Sequence, residues 1–174
     1  MERKEGIFLT TAFTVLGGDA RQMWLAQALL RSGFRVRCAE VPGMDDEPGG
    51  LYDALDGAQA VALPMPALTQ DGRIRSERSA GIDVDAVAQS LTPGAVVFGG
   101  GLSRVRALLE ARGLRVFDYL DDEALTIENA VPSAEGALEI AMRELPVTLC
   151  GSRCLVVGYG RIGKALSARL HALH

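Results

Sequence analysis

Histidine is almost missing from this 174-residue chain: only His171 and His174 occur, both at its end. The body therefore cannot assemble a Ser/His/Asp or Cys/His set, and it lacks the commonest general base. Catalysis would have to lean on a cofactor or on carboxylates. Cysteine is scarce as well, and the odd, scattered trio Cys38, Cys150 and Cys154 makes no disulfide framework. A metal site at Cys150 and Cys154 lacks further ligands, and Cys154 falls in an apolar segment where a thiol is expected to be buried as a small hydrophobe. No metal is expected. No apolar run approaches the ~18 residues of a membrane span. Basic charge is not in excess either, and a net charge of −4 gives no field for nucleic acid or an anionic membrane. The opening Met1-Glu2-Arg3-Lys4-Glu5 has mixed charge with no signal-peptide apolar region behind it, so the cytoplasm is the expected location. No repeat or low-complexity tract occurs.

What is present reads as a soluble α/β chain, with 48% hydrophobic and 23% charged residues. The length suits one domain, or one plus a piece of another. Strands are predicted at Phe13 to Leu16, Phe34 to Val41, Ala60 to Leu63, Ala95 to Phe98 and Leu114 to Phe117. Between them lie helical patterns: Met23, Ala26 and Leu30 after an N-cap at Asp19, a short turn at Leu51 to Leu55, Val84 to Leu91, and Leu102 to Leu109. Thr69 to Gly81 is polar and reads as a long loop or small hairpin. This alternation predicts a doubly wound parallel sheet, flavodoxin- or Rossmann-like, in an N-terminal domain over residues 1–128.

A different element follows. Ala134, Ala137, Leu138, Ala141, Met142 and Leu145 form an amphipathic stripe, with Glu135, Glu139 and Arg143 opposite. Pro132 and Ser133 suit its start, where Glu135 would answer the helix dipole, and Pro146 its end. This bridging helix and a linker fill residues 129–151. Residues 152–174 then read as strand, glycine turn and helix: Cys154-Leu155-Val156-Val157 runs into Gly158-Tyr159-Gly160-Arg161-Ile162-Gly163. That context is the one a dinucleotide fingerprint needs. Gly158 permits the tight exit, Gly160 lets the backbone approach a pyrophosphate, and Gly163 lets helix and strand pack closely. The amides near Arg161 and Ile162 would face the anion, and Arg161 would add charge. The ribose-reading residue is expected about 20 residues further on, so the second, Rossmann-like domain reads as incomplete.

Other turns offer weaker chemistry. Asp19, after Gly17-Gly18, would repel a phosphate and suits capping better, while Arg21 can reach a cleft at the strand ends. Gly99-Gly100-Gly101 before Ser103 and Arg104 suits either anion binding through backbone amides or plain flexibility. Arg73 and Arg75 suit a bidentate carboxylate clamp or a solvated charged loop.

Two stretches together resemble one family, the A subunit of dipicolinate synthase. They are Val15-Leu16-Gly17-Gly18-Asp19-Ala20-Arg21-Gln22, and Glu128-Asn129-Ala130-Val131-Pro132-Ser133-Ala134-Glu135-Gly136-Ala137 leading through Gly151-Ser152 into the glycine turn. The resemblance implies a two-domain architecture similar to 2-hydroxyacid dehydrogenases. It implies an NAD- or NADP-linked oxidoreductase that oxidises a dihydrodipicolinate-type intermediate to dipicolinate, the pyridine dicarboxylate of bacterial spores. It also implies a flavoprotein-like partner, the B subunit. Cofactor contacts are expected at Gly158, Gly160, Arg161, Ile162 and Gly163, and contacts to a small dicarboxylate substrate at Arg21, Arg104 and Ser133. No catalytic residue can be carried over. With most of the second domain absent, this chain is expected to be inactive alone and to form homo-oligomers through residues 153–174. A 2-hydroxyacid dehydrogenase and a non-catalytic α/β binding module remain as alternatives. In the module, Leu155 to Val157 would pair beside the strand containing Val15; projection past the bridging helix is the expected outcome.

Overall fold

The computed structural model describes residues 12–173. The chain divides into two compact units, the first closing at Tyr119 and the second opening at Leu120. The first unit closes ahead of the expected boundary at 128.

Five short parallel strands build the first unit: β1 (Ala12–Leu16), β2 (Arg35–Ala39), β3 (Ala60–Ala62), β4 (Val96–Gly99) and β5 (Arg115–Asp118), in the order β2-β1-β3-β4-β5. All five predicted strands form, with ends that shift by one or two residues. Register puts Val15 level with Cys38 and Ala62, so these three share one face. They pack there with Ala26 of α1 (Ala20–Arg31). The alternate residues Leu16, Ala39 and Val61 enter a larger core on the other face. That core holds residues of α2 (Gly50–Leu55), α3 (Val84–Ser90) and α4 (Arg106–Ala111). Burial pushes the Cys38 thiol up to about 11, with Glu47 and Asp46 adding to the shift, so this cysteine is a packed hydrophobe. Val15 has strand partners on both sides, β2 and β3, which leaves no place beside it for Leu155 to Val157 and removes the self-contained-module arrangement.

The polar stretch after β3 is better ordered than its composition suggests. Ile74 within it is fully buried, and its backbone exchanges hydrogen bonds with Ile82 at 2.8 and 2.9 Å. This loop lies directly on the turn after β1. The Gly18 N–H donates to the Arg75 carbonyl at 2.7 Å, and the Glu77 N–H donates back to the Gly18 carbonyl at 3.1 Å. Gly17 and Gly18 both have positive φ, 56° and 74°. A Cβ on Gly17 would collide with the Arg75 carbonyl oxygen.

In the second unit, α5 (Glu123–Glu144) starts well before Ser133 and carries Pro132 inside it. The sequence expectation fails here because Asp122 is a better cap: its carboxylate accepts the Leu125 N–H at 3.0 Å, and Glu123 favours the first turn. Pro132 costs the helix one backbone bond, against which stands the burial of Ala130 and Ala134 on either side of it. Glu135 is consequently mid-helix and pairs with Arg169 at 3.1 Å. The apolar stripe is buried at Ala134 and exposed at Met142 and Leu145. The last helix, α6 (Arg161–Ala172), forms as expected. The strand before it does not: residues 153–157 are without strand pairing, and Leu155 and Val157 are 88% and 91% exposed. Cys154 is exposed as well, contrary to the buried thiol expected. A parallel strand is stabilised by neighbours on both sides, and among the described residues none is offered.

The glycine turn after β1 yields a direct test. Gly17→Ala should destabilise the chain by about 1–3 kcal/mol, since strain at positive φ adds to displacement of the Arg75 backbone. Gly33→Ala, at φ 87° but with no atom within 4 Å of the new Cβ, should cost only about 1 kcal/mol. Urea denaturation of the two variants should separate them; equal losses would show that the loop yields freely.

Candidate functional site

In this strand order the chain reverses its winding between β1 and β3, and open α/β sheets bind ligands at such a switch point, beyond the carboxyl ends of the strands. The switch point here carries a cavity of about 200 Å³, walled by Gly18, Asp19, Arg21, Thr69, Arg75 and Glu77 among others. Asp19 is the cap that the sequence suggested, accepting the Arg21 N–H at 2.9 Å. Its carboxylate also receives the Arg21 side chain through Nε at 2.9 Å and Nη2 at 2.7 Å. The hydrogen bonds from Arg21 hold the Asp19 carboxyl below the usual carboxylate range, and they raise Arg21 in turn. Arg21 Nη2 reaches further, to the Met65 carbonyl at 2.8 Å. Gln22 is buried behind them and donates through Nε2 to the carbonyls of Ala62 at 3.2 Å and Leu16 at 3.4 Å. Gln22 thus ties together the ends of β1 and β3. Sequence reasoning holds it only as part of a motif; a polar residue in the first turn of a helix otherwise apolar on that side is the signal that could have found it.

The triple-glycine turn after β4 is not an open anion site. Its Gly101 and Leu102 amides are already taken by the Asp118 carboxylate at 2.9 and 2.6 Å. The chain supplies its own anion from the end of β5. Arg104 spends its guanidinium on the Gln70 carbonyl at 3.3 and 3.4 Å and on that of Thr69 at 3.5 Å, which fixes the loop over the cavity. Arg73 donates to the Gly81 carbonyl at 2.8 Å and lies 3.9 Å from Asp83. Arg21 and Arg104 therefore both stand at this end of the first unit, bonded to the protein itself. Ser133 belongs to the second unit, within α5, where its hydroxyl donates to the Asn129 carbonyl at 3.0 Å.

The second glycine turn, in the second unit, has the shape its spacing implied. Gly158 has φ 94°, and a Cβ on Gly163 would strike the Gly158 carbonyl oxygen, so helix and turn close only with glycine there. Gly160 is the opposite case: a Cβ there would meet nothing within 4 Å. It stands at the N-cap of α6 with no side chain to occupy the helix's first amides. Ile162 is half exposed beside it. Arg161 turns to α5, donating to Glu123 at 2.8 Å and to the Thr126 hydroxyl. Both bonds use one guanidinium nitrogen, and the Arg161 side chain stays half exposed. Among the described residues no metal-ligating cluster occurs, and no helix is long and apolar enough to cross a membrane.

A five-stranded parallel sheet with flanking helices, followed by a glycine turn that opens a helix, defines a Rossmann-like α/β class. Residues 12–120 match the family model for the N-terminal domain of the dipicolinate synthase A subunit, and the chain belongs to that family. It is 24% identical over 176 residues to the dipicolinate synthase A subunit of Bacillus subtilis (strain 168), covering 91% of this chain and 57% of that protein. The crystal structure of the corresponding subunit from Bacillus halodurans superposes with a TM-score of 0.79 at 19% identity, over 97% of this chain and 60% of the other. The crystal structure of the Bacillus subtilis protein gives 0.74 at 21% identity, over 94% and 58%. The chain thus spans somewhat under two thirds of the length of these relatives.

The lowered Asp19 carboxyl makes a pH prediction. Its folded value lies below its unfolded one (about 3.9), so its contribution is present above that unfolded value and is lost as pH falls through the folded value. At pH 7, Asp19→Ala should cost about 1 kcal/mol as a lost cap. The gap between wild type and Asp19→Ala in urea melts should narrow as pH falls below about 4. Asp19→Asn, which still caps, should stay flat across that range.

Proposed function

We propose that this chain is the N-terminal part of an NAD- or NADP-dependent oxidoreductase that oxidises a dihydrodipicolinate-type intermediate to dipicolinate. Family membership supports the substrate class, and the turn at residues 158–163 supports the cofactor. The single observation that carries the reading is the contrast between two glycines. Gly163 is forced by the Gly158 carbonyl, whereas Gly160 faces open space at an uncapped helix N-terminus. A fold that needed only a tight turn has no use for the second. A pyrophosphate does, because it must approach the backbone amides of Arg161 and Ile162 directly.

A bound nicotinamide dinucleotide would supply the hydride acceptor for the oxidation. This chain's residues then have two tasks. The glycine turn holds the phosphates, and the switch-point cavity of the first unit holds a small anion by its carboxylate. The described residues offer no histidine base in the first unit, and aromatisation itself drives the proton loss, so the demand on a protein base is small. A B subunit is the proposed partner, since the relatives are named as A subunits. Self-association through residues 153–174 is proposed on the bare apolar surface of Leu155, Val157 and Tyr159. Sedimentation at rising concentration should show dimers or larger species, and a monomer throughout would count against it.

Calorimetric titration of NADH and NADPH into the full-length gene product tests the cofactor reading. Gly160→Ala meets no atom of this chain and should cost at most about 1 kcal/mol of stability, the difference between glycine and alanine at an N-cap, yet weaken dinucleotide binding at least about tenfold by blocking the close approach of the phosphates. Absence of binding in the wild-type protein would end the oxidoreductase reading.

A further inference from the structure

Five arginines, 21, 73, 75, 78 and 104, gather around the loop that covers the β1–β3 switch point, and four of them are consumed by the fold. Arg21 pairs with Asp19, Arg104 holds the Thr69 and Gln70 carbonyls, Arg73 holds Gly81 and Asp83, and Arg78 pairs with Asp46 at 2.8 Å. Arg75 is different. It is among the residues that line the 200 Å³ cavity, it is exposed, and its guanidinium makes no hydrogen bond or ion pair among the described residues. It lies near enough to Asp19 to help lower that carboxyl.

The backbone of Arg75 is held as firmly as its side chain is free. Its N–H donates to the Ala67 carbonyl at 2.9 Å, and its carbonyl accepts from Gly18 at 2.7 Å. The preceding residue, Ile74, is fully buried. On this fixed base the planar fork of the guanidinium, with its donors unspent, matches a carboxylate, and the cost of binding falls on side-chain rotamers rather than on the backbone. Of the two acids on the cavity wall, Asp19 is taken up by Arg21, which leaves Glu77 as the acid that an incoming anion must pass. The cavity is below the size usual for drug-sized ligands or cofactors and admits a small organic anion.

We propose that Arg75 is the specificity-determining residue of this cavity and takes one carboxylate of a small dicarboxylate substrate in a bidentate grip. The identity of the dicarboxylate rests on the oxidoreductase reading above; the carboxylate contact at Arg75 does not.

The experiment titrates pyridine-2,6-dicarboxylate, its monocarboxylate analogue and inorganic phosphate into the chain by calorimetry. It compares wild type with Arg75→Gln, Arg75→Lys and the distant control Arg31→Gln. Wild type should bind the dicarboxylate saturably and more tightly than phosphate. Arg75→Gln should weaken that binding by about tenfold to a hundredfold, Arg75→Lys should restore only part of it, and Arg31→Gln should match wild type. The unfolding midpoint of Arg75→Gln should be unchanged, since its guanidinium supports no part of the fold. Unaltered affinity in Arg75→Gln, or no saturable dicarboxylate binding by wild type, overturns the assignment. NADH and NADPH titrations into the full-length gene product read the other claim separately. Cofactor binding without an Arg75 effect sinks Arg75 alone, and an Arg75 effect without cofactor binding sinks the redox reading alone.

Discussion

The first unit depends on one close approach, the backbone of the loop after β3 lying against the backbone of the turn after β1. Two hydrogen bonds join Gly18 to Arg75 and Glu77, and a side chain at position 17 would hold the two segments apart. Everything at the strand ends follows from that contact. The loop cannot lift away without unburying Ile74, and it brings Arg75 to the cavity wall. The Arg75 carbonyl occupies the space beside Gly17 that a side chain would need. The glycines after β1 therefore serve protein-to-protein packing, while Gly160 faces open space. Two glycine turns that look alike on paper have different neighbours.

Charge is distributed by the same logic. Unsatisfied amides at helix and turn starts attract anions, and this chain answers several of them from within. Asp19 caps α1, Asp83 caps α3, Asp122 caps α5, and Asp118 fills the triple-glycine turn. Each such carboxylate removes a candidate anion site. The arginines around the switch point are spent in a matching way on carbonyls and carboxylates. Among the described residues, this pairing leaves the Arg75 guanidinium at the switch point and the starts of α2, α4 and α6 without a side-chain cap.

The strand positions, the capped start of α1 and the five-strand alternation were legible because they rest on local rules: hydrophobic period, cap preference and turn chemistry. The shortened α4 and the early start of α5 were not. At α4, the Asp118 carboxylate from a distant strand takes the Leu102 amide and holds the preceding residues in a turn. At α5, the strength of Asp122 as a cap outweighs the usual preference for proline at a helix start. The strand expected over Cys154 to Val157 shows the same limit from the other side. Its residues have strand character, but a strand exists only with a neighbour to bond.

Local pattern was enough for the fold class, the order of the elements and the family, because periodicity and glycine spacing are properties of neighbours along the chain. It placed Arg21, Arg104 and Ser133 as the expected substrate contacts and left Arg75 between a carboxylate clamp and a solvated charged loop. Folding alters that order, since whether a guanidinium is free depends on which carbonyls and carboxylates from remote segments reach it. Arg104 meets Gln70, Arg21 meets Met65, and Arg75 meets none among the described residues, a difference that long-range packing creates and local pattern does not carry.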